Sequence, residues 1–189
     1  MNDNNIKEAI FAGGCFWCME TPFLLTDGVV KVRSGYIGGE KKFPTYEEVS
    51  TGSTGHYEAV KIWYDETKVS YKYLLGIFFQ SMNPTDPYGQ FADRGSQYLG
   101  GIFYDNEIEK TIAVDLIKAI DESNIFDNPI AVHLIPNSEF YEAEEYHQEY
   151  HKKNKLHYKA YRQGSGRAPF LDKIWTEENK NKLNEIINK

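Results

Sequence analysis

The chain contains only two cysteines, and they stand close together as Cys15-x-x-Cys18, directly behind Gly13-Gly14. Cysteine reacts as a thiolate, and a free thiol is mostly protonated at neutral pH. If a helix begins at Cys15, the unsatisfied N–H groups and partial positive charge of its N-terminus lower the thiol pKa. The two glycines let the backbone turn sharply and leave the sulfur open to a substrate. One helical turn places both sulfurs on the same face, within reach of a disulfide after modest adjustment. Such a pair can shuttle between dithiol and disulfide. Phe16 and Trp17 lie between the cysteines and could wall an apolar pocket beside the sulfur.

On these residues alone, three readings stay open. Free cysteines are commonly buried, so the pair could be two core residues without chemistry. Cys15-x-x-Cys18 with His147-x-x-x-His151 offers zinc-type ligands, although the two halves are far more widely separated than in a compact finger. The third reading is nucleophilic or redox chemistry, which needs proton donors and a pocket. Glu58 sits among apolar residues in a strand-like segment; buried there, its carboxyl pKa would rise and it could act as a general acid, whereas outward-facing it would be an ordinary strand carboxylate. Tyr46 and Tyr98 are two of 14 tyrosines, most of which must simply pack. Asp93 lies in a loop-to-strand segment of the kind that walls sites.

The elements needed to position these groups can be read from the pattern. Ile6 to Ala12 reads as a mostly buried strand, broken by Gly13-Gly14. A short helix follows from Cys15 to Leu25, restricted by Pro22. Val29 to Tyr36 and Tyr57 to Tyr64 alternate like strands. Residues 41–55 read as a loop with one turn of helix. Ser70 caps a helix reaching Ser81. A long loop opens at Asn83-Pro84 and runs to Gly95. Tyr98 to Tyr104 and Ala131 to Ile135 are strands, and Asn106 to Ser123 has helical periodicity through Ile108, Ile112, Leu116 and Ile120. Phe140 to His157 is partly helical, and a last helix spans Glu177 to Asn188. Strands and helices mix without strict alternation. This predicts a single α+β domain, a two-layer sandwich around a central mixed sheet of ferredoxin-like type, with a core over about 6–160 and a C-terminal tail over 161–189.

The chain's 189 residues, 41% hydrophobic and 15% aromatic, suffice for a real core. A net charge of −7 argues against nucleic-acid binding, which needs a basic surface. Met1-Asn2-Asp3-Asn4-Asn5 lacks the order of a secretory signal, and no apolar run approaches the length of a membrane span. A soluble, cytoplasmic protein is expected.

Six strings then occur in order: Gly13-Gly14-Cys15-Phe16-Trp17, Ser34-Gly35-Tyr36-Ile37-Gly38-Gly39, Pro44-Thr45-Tyr46-Glu47-Glu48-Val49, Thr54-Gly55-His56-Tyr57-Glu58-Ala59-Val60, Asp93-Arg94-Gly95-Ser96-Gln97-Tyr98, and Phe140-Tyr141-Glu142-Ala143-Glu144-Glu145-Tyr146-His147-Gln148. Together they resemble the peptide-methionine sulfoxide reductase A family, from about Ile6 to Trp175. The resemblance implies that Cys15 is the nucleophile toward the sulfoxide sulfur. It implies that Glu58 protonates the sulfoxide oxygen, that Tyr46 and Tyr98 hydrogen-bond that oxygen, and that Asp93 is a site carboxylate. Phe16 and Trp17 match the methyl pocket, and Gly55 and His56 are expected on the substrate side. It further implies the S epimer as substrate, free or in proteins, and a role in repair of oxidative damage.

Two departures matter. Many members have Gly where this chain has Cys18, and many carry recycling cysteines near the C-terminus, where this chain has only Gly164-Ser165-Gly166. Cys18 is therefore expected to attack the Cys15 sulfenic acid and form a disulfide that thioredoxin reduces. No metal or bound cofactor, no nucleic acid or membrane partner, and a monomer are expected. Arg94 stands where members often have His.

Overall fold

The structure, a computed structural model, describes residues 5–189; the reading of Met1 to Asn4 lies outside the described residues. Among the described residues no helix is long and apolar enough to cross a membrane.

The main sheet has six strands, β1 (Ile6–Gly13), β2 (Val29–Ile37), β3 (Tyr57–Asp65), β6 (Gly100–Tyr104), β7 (His133–Pro136) and β8 (Tyr141–Glu142). Their spatial order is β7-β6-β1-β3-β2-β8. All neighbours are antiparallel except β6 and β7, which are parallel, so the sheet is mixed. β1 runs through the centre, with Phe11 opposite Val60 on one side and Ile102 on the other.

Side chains alternate across the sheet. Phe11, Val60, Ile62, Val32 and Ile102 lie in the main core under the helices, whereas Ile10, Ala12, Ile37, Ala59 and Phe103 form a smaller cluster. The helices that supply apolar residues to the main core include α1 (Phe16–Leu24), α3 (Tyr71–Gln80), α4 (Glu107–Glu122) and α8 (Glu177–Ile187). α1 gives Phe16, Met19 and Phe23, all fully buried. Burying each of these side chains contributes roughly 1.5–3 kcal/mol. The caps follow the expected chemistry: Ser70 Oγ accepts from Tyr73 N, and Asn106 Oδ1 accepts from Ile108 N and Glu109 N. The turn of helix within residues 41–55 is α2 (Tyr46–Ser50), closed by a Thr45–Glu48 capping box.

Several boundaries differ from the sequence pattern. α1 starts one residue later, at Phe16, and ends two residues past Pro22. The loop to Gly95 holds a small two-stranded sheet, β4 (Gly89–Gln90) against β5 (Asp93–Arg94). Tyr98 is not in a strand but ends a 3-10 turn, Ser96–Tyr98, before β6. The strand after α4 starts two residues later and ends one later than expected, as β7, because its register is set by pairing with β6.

β8 has no strand-like pattern of its own. It is held at the sheet edge by a side chain that mimics a strand: Gln148 Oε1 accepts from Ser34 N, while its Nε2 donates to Ser34 O and Ala143 O. Beyond it come α5 (Tyr150–Lys153), α6 (Lys155–Gly164) and α7 (Arg167–Ile174). The boundary near residue 160 falls inside α6.

Glu20, on α1, has no exposed surface. One carboxyl oxygen accepts from Glu149 N and the other has no protein partner. Burial pushes its pKa up to about 7 from the ordinary 4.5. The folded chain therefore holds a proton that the unfolded chain has released, and stability falls as pH rises between these two values. Glu20→Gln removes that slope. The variant should gain on the order of 2 kcal/mol over the parent at pH 8 compared with pH 5, read from denaturant midpoints. Equal pH slopes for the two proteins would refute this.

Candidate active site

The site forms where β1 hands the chain to α1. Gly14 takes a left-handed conformation (φ +78°), and a Cβ there would sit 2.5 Å from Gln90 Cβ. Glycine is needed because both the turn and the packing exclude a side chain. The turn brings Cys15 to the N-cap of α1. Its carbonyl accepts from Cys18 N at 3.0 Å and Met19 N at 3.3 Å, so the first helical turn locks the two cysteines together. Both thiols are free and buried, with only 5% of Cys15 exposed.

Glu58 lies opposite on β3. Strand alternation puts it in line with Val60 and Ile62 under the helices, not outward, and leaves it 2% exposed. Its Oε2 accepts from Phe16 N at 3.2 Å. Burial outweighs that bond and pushes the carboxyl up to about 8, so it is mostly protonated at neutral pH and able to donate.

A cavity of about 240 Å³ opens over these groups. Cys15, Phe16, Trp17, Tyr46, Glu58, Asp93 and Tyr98 line it, together with two residues from α6, His157 and Tyr161. It is below the usual size of a drug-binding pocket and suits one amino-acid side chain. Tyr46 starts α2, tied by its N–H to Glu144 Oε1 (2.9 Å), and its ring stacks on Phe16. Burial raises the Tyr46 phenol to about 12 and the Tyr98 phenol further, so both keep their protons. Asp93 is held by the Tyr161 hydroxyl, and burial raises its carboxyl pKa.

The thiols show an effect the sequence reading did not weigh. Burial raises the Cys15 thiol well above its ordinary value, reinforced by Cys18, Glu58 and Asp93. The expected lowering by the helix N-terminus does not prevail at Cys15. Cys18 shifts the other way, to about 7, because the Cys15 thiol hydrogen-bonds to it and Arg167 and Arg162 add positive charge. Cys18, not Cys15, is therefore the thiol whose ionisation the site favours.

Trp17 is fixed by His147 and Tyr150. Its Nε1 donates to His147 Nδ1 at 3.1 Å, and its ring stacks on Tyr150 at 3.8 Å and 7°. His147 is buried against Phe16 and Tyr46 and kept neutral by burial. Accepting at Nδ1 requires the Nε2–H tautomer. Among the described residues no group of three or more His, Cys, Asp and Glu is placed to hold a metal ion.

Two expected residues lie elsewhere. Gly55 and His56 do not line the cavity. His56 is buried behind the loop 38–41, where its Nδ1 accepts from Gly39 N (3.2 Å) and its Nε2 pairs with Lys41 O (2.8 Å). Proximity in sequence to Glu58 misled here: His56 lies before β3 begins at Tyr57, so strand alternation does not carry it to the face of Glu58. His157 and Tyr161 were missed. The available signal was their i, i+4 spacing on one aromatic face of α6.

A family model described as peptide methionine sulfoxide reductase matches residues 7–179. A curated relative, the peptide methionine sulfoxide reductase MsrA of Bacillus pumilus, is 48% identical over 170 residues, covering 90% of this chain and 96% of its own. Among solved structures, reduced Mxr1 from Saccharomyces cerevisiae superposes with a TM-score of 0.74 at 31% identity, covering 82% of this chain and 88% of that one. Mxr1 in complex with Trx2 shares the fold at a TM-score of 0.54 and 23% identity, covering 79% and 87%. With a buried cysteine pair, a protonated carboxyl and two phenols around a side-chain-sized cavity, and with matches over most of its length, this chain belongs to the peptide methionine sulfoxide reductase family, of the MsrA type.

Proposed function

We propose that this chain reduces the S epimer of methionine sulfoxide, free or in proteins, by a Cys15 sulfenic acid that Cys18 resolves. The observation that supports it most is the meeting of Cys15 with a Glu58 carboxyl held protonated by burial, in a cavity closed by aromatic rings. The β1-α1-β2-β3-α3-β6 core, with neighbours β6-β1-β3-β2, supports reading the scaffold as ferredoxin-like.

The substrate methyl group lies against Phe16 and Trp17. The sulfoxide oxygen points to Glu58, Tyr46 and Tyr98. Cys15 passes its proton to Cys18 through their shared hydrogen bond and attacks the sulfur as a thiolate. Glu58 protonates the oxygen as the S–O bond breaks, and the two phenols stabilise its developing charge. The attack has joined Cys15 to the substrate sulfur; the protonated oxygen then passes from that sulfur to the Cys15 sulfur as the transient S–S bond breaks, so methionine leaves as the thioether and Cys15 is left as S–OH. Cys18 then attacks that sulfur, water departs, and a Cys15–Cys18 disulfide remains. A thioredoxin dithiol reduces the disulfide by exchange. The net change is one sulfoxide and one dithiol to one thioether, one disulfide and one water. The capture of Mxr1 with Trx2 supports thioredoxin as reductant. Two free cysteines fit a reducing compartment such as the cytoplasm, and the site is complete within one chain.

Thioredoxin-coupled turnover of each epimer of a methionine sulfoxide peptide tests this reading. The S epimer should be consumed and the R epimer left. Consumption of R, or insulin disulfide reduction without sulfoxide turnover, would favour a different substrate or a general thiol–disulfide oxidoreductase.

A further inference from the structure

Arg167, the first residue of α7, is one of the largest fully buried side chains, with 1% of its surface exposed. Its guanidinium crosses under the active site. Nη1 donates to Ser81 O at 2.7 Å and Nη2 donates to Gly13 O at 3.0 Å. Nη2 would also lie 2.9 Å from a Cβ at Gly14, the residue before Cys15. The Phe91 ring sits 4.9 Å from the guanidinium carbon. Among the described residues no carboxylate forms an ion pair with it.

A full charge removed from water without a carboxylate is costly to a fold. Two carbonyls and an aromatic face offset part of that cost, but a neutral side chain would brace the turn as well. Two groups in the buried site can face this charge as anions, the Asp93 carboxyl and the thiolate of the cysteine pair, and the guanidinium lowers the pKa of both Asp93 and Cys18. We propose that Arg167 is the positioning residue of the dithiol: it pins the Gly13–Cys15 turn and supplies the buried positive charge against which the thiolate forms.

The groups facing the pair sort by element. Glu58 on β3 and Asp93 on β5 oppose the thiolate, Tyr46 on α2, Tyr98 before β6 and Tyr158 and Tyr161 on α6 are neutral phenols, and Arg162 on α6 is the other cation. Arg162 is half-buried near the end of α6, where salt can screen it, whereas Arg167 is sealed. A buried charge acts in low dielectric and keeps its effect at high ionic strength.

This proposal rests on Cys15 and Cys18 being the reacting pair, but its test needs no substrate. Thiolate absorbance near 240 nm, titrated in the full chain, reads the pair directly, and the rate of alkylation by iodoacetamide gives an independent titration. In Arg167→Gln the midpoint should rise by about one unit, a roughly fivefold loss of thiolate at pH 7. Arg167→Lys should stay within a few tenths of the parent, because the charge is kept. First-turnover methionine formation by Arg167→Gln should be slow at pH 7 and recover at higher pH. A folded Arg167→Gln with the parent midpoint would overturn the proposal and leave Arg167 a brace. The parent protein gives a second test that no folding defect can obscure. Its midpoint should move by less than about 0.2 unit between 0.05 and 1 M salt. A rise of half a unit or more would assign the thiolate to screened cations such as Arg162 and overturn the proposal. Failure of the reductase reading would show as sulfoxide inactivity with the titration unchanged, so the two are distinguishable.

Discussion

Cys15→Ser should lose methionine formation by about 10⁴-fold or more, while Cys18→Ser should still make one methionine per enzyme and then stall. The asymmetry follows from the chemistry assigned to each sulfur. A serine hydroxyl is not ionised at neutral pH and cannot carry the oxygen as a sulfenic acid, so no step remains at position 15. At position 18 the loss falls after methionine has left. Without its thiol the sulfenic acid on Cys15 persists, and a reductant must reach a sulfur that is 5% exposed beneath Tyr158 and Tyr161. First-turnover yield and thioredoxin-coupled turnover, measured side by side on the two variants, check this. Full thioredoxin-dependent turnover by Cys18→Ser would remove the resolving role from Cys18.

The second large effect belongs to Glu58. Glu58→Gln keeps the shape and the contact with Phe16 N but cannot give up a proton. Loss of a general acid costs typically 10²–10⁴-fold, and kcat/KM should fall within that range. The pH profile separates this from a general loss of fit. In the parent, activity should rise as the cysteine pair ionises, with Cys18 near about 7, and fall as Glu58 loses its proton near about 8. The acid is active in its protonated form and its pKa is raised, so the function it supplies is present below about 8 and lost above it. Glu58→Gln should therefore be slow throughout and lack the alkaline fall. A variant that kept that fall would place the titrating acid elsewhere, with Asp93 the first alternative.

Local pattern carried much of this site and missed a definable part. The strand β3 was legible from alternation, and the same alternation decides that Glu58 lies with Val60 and Ile62 in the core. The glycine turn before Cys15 was legible because only glycine combines φ +78° with the approach of Gln90. The cap at Ser70 and the long periodic helix α4 were equally plain. What was not legible depends on contacts distant in sequence. The β8 edge is made by the Gln148 amide reaching Ser34, 114 residues away. Trp17 is fixed by His147, 130 residues away. Arg167 reaches Gly13 across 154 residues. None of these leaves a periodicity. The Cys15 thiol shows the same limit in electrostatics: the helix N-terminus is readable from sequence, but the burial that outweighs it is a property of the assembled cavity.

The central claim is that Cys15 takes the oxygen and Cys18 resolves it. The most direct measurement withholds all reductant, offers each epimer of a methionine sulfoxide peptide to the reduced protein, counts methionine released per enzyme, and maps both cysteines by mass. The account predicts about one methionine per enzyme from the S epimer, none from the R epimer, and a Cys15–Cys18 disulfide at the end. No methionine from either epimer, with both thiols intact, would contradict it.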